Sequence, residues 1–207
     1  AHDQTMIEKF GGGIGFSLSA LRPNDTPITT TQGRACGPGA VLQTLSQVGT
    51  MITQGGKRDG AHMAIMSVYH PDVEEFISCK TVEGEIHNFN ISVGADSNFM
   101  KAVRDDKYLH LTYPLDKNSY DSPKDDSYIS ARGLFNDITK GAWRNGEPGM
   151  VWLDRINRDN TTPQLGQINA TNPCGEQPLL SGESCNLGSI NLGNFVNERK
   201  EFDFDRF

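Results

Sequence analysis

The sequence predicts an α/β protein, a mostly parallel sheet with helices packed outside it or part of a barrel built that way. Three observations predict it. Some segments carry apolar residues at a helical period and others alternate apolar with polar. The two kinds follow one another along the chain. Apolar content of 36% beside 22% charged residues is that of a folded, soluble chain. The 207 residues suffice for one domain with a real core or for part of a larger one. They read as a single segment, 1–207, and as a fragment, because the chain opens on Ala1 and "NERKEFDFDRF" stops without a terminating signal.

Taken in order, "CGPGAVLQTLSQVGTMITQ" places Leu42, Leu45, Val48, Met51 and Ile52 at a helical period, and Gly55 and Gly56 are expected to end the helix. "HMAIMSV" is a short apolar strand. "HPDVEEFISCK" predicts a helix with Pro71 in its first turn and acidic residues near its N-terminus. "HNFNISV" alternates Phe89, Ile91 and Val93 against polar neighbours, a strand, and Asp96 caps a short helix through Val103. "KYLHLTY" alternates again, and Asp116 to Asp126 is a polar surface loop. "SYISARGLFNDITKGAW" gathers Ile129, Leu134, Phe135, Ile138 and Ala142 on one helical face, while "GMVWLD" and "CNLGSINL" read as strands, the first of them buried. In such folds chemistry gathers at the carboxyl ends of the strands.

Charge and composition exclude several functions. The net charge is −7 and no basic run exceeds two residues, which does not suit a nucleic-acid groove. No apolar stretch is long enough to span a membrane and no charged-then-apolar leader opens the chain, so a cytoplasmic protein is expected. The N-x-S/T triplets at Asn24, Asn90, Asn160 and Asn169 are then chance. "GGGIGFSLSALRP" puts Phe16 where a dinucleotide fingerprint needs its third glycine. "QGGKRDG" lacks the Walker spacing. Both read as turns where backbones pass closely, the first also able to offer N–H groups to a substrate.

Cys36, Cys79, Cys174 and Cys185 form no C-x-x-C pair, and no histidine stands at zinc-ligand spacing from them, so no metal site is expected. Cys79 reads as a buried free thiol. Cys174 is different. In "NPCGE", Pro173 fixes the backbone before it and Gly175 lets the chain turn after it, presenting the thiol at a loop tip between Asn172 and Glu176. A carboxylate beside a thiol disfavours thiolate. That suits hydrogen-atom chemistry better than nucleophilic attack. His62, His70, His87 and His110 are scattered, with no local signature of a Cys–His pair.

These residues resemble a known family. "NPCGEQPL" followed by "ESCNLGSINL" is similar to the active-site signature of the ribonucleotide reductase catalytic subunit. "GGGIGFSLSALRP", "GRACGPGAV" and "GGKRDGAHMAIMSVYHPDVEEFISCK" resemble further blocks of that family in the same order. The resemblance implies part of a ten-stranded α/β barrel whose central finger loop carries the radical cysteine. It makes Cys174 the cysteine that becomes a thiyl radical and takes the 3′ hydrogen of the ribose. Glu176 becomes the general base on the 3′ hydroxyl, Asn172 the hydrogen-bond partner of the sugar, and Cys36 with Cys185 the reducing dithiol.

The wording is most similar to class II enzymes, which implies adenosylcobalamin as cofactor, with no residues assigned to hold it. The implied partners are ribonucleoside di- or triphosphates, dNTP or ATP effectors and a thioredoxin-like reductant, and a homodimer is admitted. The segment from Cys79 to Asn90 would lie near effector-coupling loops. Alternatives are a class I catalytic subunit drawing its radical from a separate metal-containing subunit, and a nucleotide-binding module that has lost the reaction. A thiol hydrolase would need a histidine beside Cys174.

Overall fold

The computed structural model describes residues 1–54, 58–82, 84–113 and 127–207. Its elements are α1 (His2–Lys9), β1 (Ile14–Ser17), β2 (Pro27–Ile28), β3 (Gly33–Arg34), α2 (Gly37–Met51), β4 (Thr53–Gln54), β5 (Arg58–Asp59), β6 (His62–Ser67) and α3 (Val73–Ser78). Then follow β7 (Phe89–Ala95), α4 (Ser97–Arg104), β8 (Tyr108–His110), β9 (Tyr128–Ser130), α5 (Ala131–Asn145), β10 (Gly149–Trp152), α6 (Leu153–Arg158), β11 (Ala170–Thr171) and β12 (Pro178–Leu179). Four strands form one sheet in the order β1-β6-β7-β10, with every neighbouring pair parallel. The other strands make two-stranded antiparallel pairs.

Alternation along the strands gives the sheet two different faces. Ala64, Met66, Phe89, Ile91 and Val93 share a core with Leu42 of α2, Val73 and Phe76 of α3, Phe99 of α4, and Leu134 and Ile138 of α5. The opposite face, turned away from these helices, receives the β11–β12 hairpin and Leu153. β6 is central and buried at every position, as a parallel strand covered on both sides should be. Asp96 caps α4 by accepting from the Phe99 N–H, and also accepts from the Tyr69 hydroxyl at 2.8 Å. Ser130 caps α5 through the Gly133 N–H, and Gly146, at φ 85°, closes that helix.

α1 is anchored by polar groups. Gln4 and Glu8 are its buried residues, whereas Met6 and Ile7 face outward. Glu8 pairs with fully buried His62, whose Nδ1 donates to the Asn88 carbonyl at 3.0 Å. Gln4 donates to Glu8 and to the Leu45 carbonyl, both at 2.9 Å.

Several expectations are corrected. α2 ends at Met51, before Gly55 and Gly56, which lie outside the described residues. Its buried stripe runs through Leu42, Ser46 and Gly49, leaving Met51 exposed, because Asn88 draws Ser46 inward by two hydrogen bonds. Pro71 precedes the Asp72 cap of α3 rather than joining its first turn. Ile129 belongs to β9, and on α5 Gly141 takes the buried place expected of Ala142. β10 is half-buried, since among the described residues it has a neighbouring strand on one side only. "CNLGSINL" is not a strand: it is exposed and has no ladder partner among the described residues. The stretch from Asp116 to Asp126 lies outside them. No helix among the described residues is long and apolar enough to cross a membrane.

Candidate active site

The hairpin that carries Cys174 is closed by Asn172. Its N–H donates to the Gln177 carbonyl and its Oδ1 accepts from the Gln177 N–H, both at 3.0 Å. Its carbonyl accepts from the Gly175 N–H at 3.1 Å, a bend that Gly175 accommodates at φ 86°. Cys174 and Glu176 are exposed within this turn. The Asn172 Nδ2 group is left as a donor without a partner among the described residues.

The sheet beneath is shaped for this turn. Gly15 of β1 is in register with Met63 of β6, and Met63 with Asn90 of β7. Registered residues of parallel strands point to one face, so these three form a row across it. The turn lies along that row. A Cβ on Gly15 would stand 1.8 Å from the Thr171 carbonyl oxygen, and one on Gly13 would stand 2.3 Å from the Pro173 ring. A Cβ on Gly175 would meet the Met63 methyl at 3.7 Å. The Asn90 Nδ2 donates to the Pro173 carbonyl at 2.8 Å. Gly15 and Asn90 thus touch the hairpin while the Met63 methyl lies under Gly175, and "GGGIG" supplies the bare backbone on which the hairpin rests.

The row crosses the second residue of each strand, at the amino ends of β1, β6 and β7. The expectation of chemistry at the carboxyl ends does not describe this turn, because it belongs to a hairpin laid on the open face and not to a strand-to-helix loop.

Cys174, Glu176 and Asn172 are brought together by the turn itself. Cys36 stands on another element. It is the N-cap residue of α2, beside Gly37, which lies against Asn24; Asn24 in turn bonds the Asp72 carboxylate before α3. The other end of α2 meets His62 and Asn88, next to the row. Cys185 is exposed in the irregular segment after β12, beyond a bend in which the Glu183 carboxylate accepts from the Leu180 N–H. All four cysteines are free thiols.

Cys79 is half-buried, and burial pushes its thiol up to about 11. His62 is used by Glu8 and Asn88, and His70 by the Leu21 carbonyl. Among the described residues no group of three or more His, Cys, Asp or Glu side chains is placed to hold a metal ion. Sequence reasoning did not count Asn90 among the site residues, placing it only in an N-x-S triplet, in a strand and at the end of the segment from Cys79 to Asn90. The available signal was a polar side chain on the non-core face of an otherwise apolar strand.

Comparison with known proteins adds a further finding. The family described as "Ribonucleotide reductase, barrel domain" matches residues 1–207, the whole chain. The chain is 46% identical over 97% of its length to the vitamin B12-dependent ribonucleoside-diphosphate reductase of Thermoplasma acidophilum, of which it covers 26%. It is 40% identical over 97% of its length to the protein of the same name in Mycobacterium tuberculosis, covering 28% of it. To the vitamin B12-dependent ribonucleotide reductase of Rhodopirellula baltica it is 34% identical, covering 22% of that protein. The chain thus spans about a quarter of the length of these curated relatives.

Proposed function

The chain belongs to the ribonucleotide reductase barrel-domain family, and from that premise we propose that the protein carrying it converts ribonucleotides to deoxyribonucleotides with adenosylcobalamin as cofactor. The observation that carries this reading is the Cys174 turn, seated on a parallel α/β sheet opposite its helices. A sheet with helices outside and a cysteine-bearing hairpin inside is the arrangement a ten-stranded barrel with a central finger loop requires. The four-stranded sheet would be one part of it.

The residues divide the work by chemistry. Cys174, as a thiyl radical, takes the hydrogen atom from C3′ of the ribose. Glu176 accepts the proton of the 3′ hydroxyl, and the Asn172 Nδ2 group donates to the sugar oxygens. The 2′ oxygen leaves as water, and two electrons and the accompanying protons come from a dithiol that ends as a disulfide. Cys185 is proposed as one thiol of that pair. The resemblance names Cys36 as the other.

Cys174 suits the proposed cofactor in that its thiol is exposed at the tip of the turn, where it can be approached from outside the sheet. Bound adenosylcobalamin would supply the radical equivalent that removes the thiol hydrogen. The first two relatives are named for diphosphates, so a ribonucleoside diphosphate is the proposed substrate. Effector dNTP or ATP, a thioredoxin-like reductant, a homodimer and a cytoplasmic setting complete the proposal.

In the full-length protein, Cys174→Ser should abolish deoxynucleotide formation while leaving nucleotide binding intact, read by product chromatography beside equilibrium binding. Retained turnover in that variant would overturn the assignment. Activity of the wild-type protein on adding adenosylcobalamin, with no second subunit, separates this reading from a class I subunit.

A further inference from the structure

We infer that Asn90 is a positioning residue for Cys174. The inference rests on the proposed role of that cysteine and adds a residue to its site. Asn90 and Pro173 are 83 positions apart in sequence, yet the Asn90 amide donates to the Pro173 carbonyl at 2.8 Å. Among the described residues this is the only side-chain hydrogen bond between the parallel sheet and the turn.

The acceptor is what gives the contact its consequence. The Pro173 carbonyl belongs to the same planar peptide unit as the Cys174 nitrogen, so holding that oxygen fixes the plane from which the Cys174 side chain departs. Pro173 contributes a fixed φ on the other side. Gly13 and Gly15 let the hairpin descend far enough for the bond to form, since a Cβ at either place would collide with Pro173 or Thr171. Asn90 itself stands on β7, in register with Met63 on the central strand, so the anchor is as rigid as the sheet.

The chemistry of the residue is also specific. Only a donor of this length suits a carbonyl at this distance. Asparagine offers an NH₂ group there, whereas aspartate of the same shape would set one oxygen against another. Because the side chain is exposed, exchanging the amide for a carboxylate leaves the core untouched. A reactive sulfur displaced by about 1 Å can lose about a hundredfold in rate.

The test is Asn90→Asp in the full-length protein, with Asn90→Ala as a second variant and Cys174→Ser as a parallel control. The expected result is a fall in kcat of about a hundredfold with KM for the nucleotide within about threefold, because the ribose contacts assigned to Asn172 and Glu176 do not include Asn90. Hydrogen exchange at the Gly175 and Gln177 amides should quicken about tenfold while the amides of β7 stay protected, a readout independent of turnover. Wild-type kcat in both Asn90 variants, beside an inactive Cys174→Ser, overturns the role of Asn90 and leaves the reductase reading standing. An active Cys174→Ser overturns the reductase reading instead, and with it the catalytic meaning of the Asn90 contact. Unchanged exchange in the turn overturns the contact itself.

Discussion

At the scale of single residues, the four thiols differ in exposure. Cys36, Cys174 and Cys185 are exposed, while Cys79 sits beside the core with its thiol raised by burial to about 11. The folded protein at pH 8 should therefore take up iodoacetamide rapidly at three positions and slowly at Cys79, as peptide mass mapping over time would record. Labelling of Cys79 should quicken as pH climbs toward about 11. The sign of the linked stability follows. Unfolding frees this thiol to ionise at its ordinary value, so the fold loses stability as pH rises from 9.0 toward about 11 and keeps it below. Much at this scale was legible in the sequence. Asp96 was readable as a cap because its acceptor role is local, three residues from Phe99. Asn90 was not, because its partner arrives from 83 positions away.

At the scale of elements, the hairpin and the strand beneath it depend on each other. Gly15→Ala places a methyl group where the Thr171 carbonyl oxygen stands, 1.8 Å from the ideal Cβ position, and backbone cannot rotate aside as a flexible side chain would. The expected cost is about 1–3 kcal/mol, seen as a lower urea midpoint with an unchanged slope. Loss of the Cys174 turn from the sheet should accompany it. Helical periodicity located α2 and α5 but misjudged parts of their inner stripes. A period does not say which of two adjoining stripes the core will take. In α2 the tie between Ser46 and Asn88 decides it, at 2.7 and 2.8 Å, and it turns Met51 outward. "CNLGSINL" shows the same limit for strands, since an extended pattern forms a ladder only where a second strand offers its backbone.

At the scale of the whole molecule, the parallel sheet ends on β1 and β10, each with one strand neighbour among the described residues. Leu187, Ile190 and Leu192 lie exposed in the segment after β12, and Trp143 projects from α5 at 90% exposure. Open edges and unburied apolar side chains promote association. Residues 1–207 expressed alone should accordingly self-associate as concentration rises, measurable by light scattering. A strictly monomeric solution would show that these surfaces are protected without the rest of the protein. The α/β class was legible because strand and helix patterns take turns along the chain. The seat of the hairpin was not, because it depends on the depth left by two missing Cβ atoms.

The hydrogen-bond closure of the hairpin occupies the main chain at its base and leaves that of Cys174 and Glu176 without partners among the described residues. Pro173 has no N–H and its oxygen is occupied by Asn90; the N–H and C=O of Asn172 are both taken within the loop, as are the N–H of Gly175 and that of Gln177. The sugar of the proposed substrate would meet the main-chain groups of Cys174 and Glu176 together with the side chains beside them. The preference among hydroxyl patterns could then be rewritten by exchanging Glu176, whose side chain takes no part in closing the loop, whereas exchanging Asn172 would also remove the bond from the Gln177 N–H.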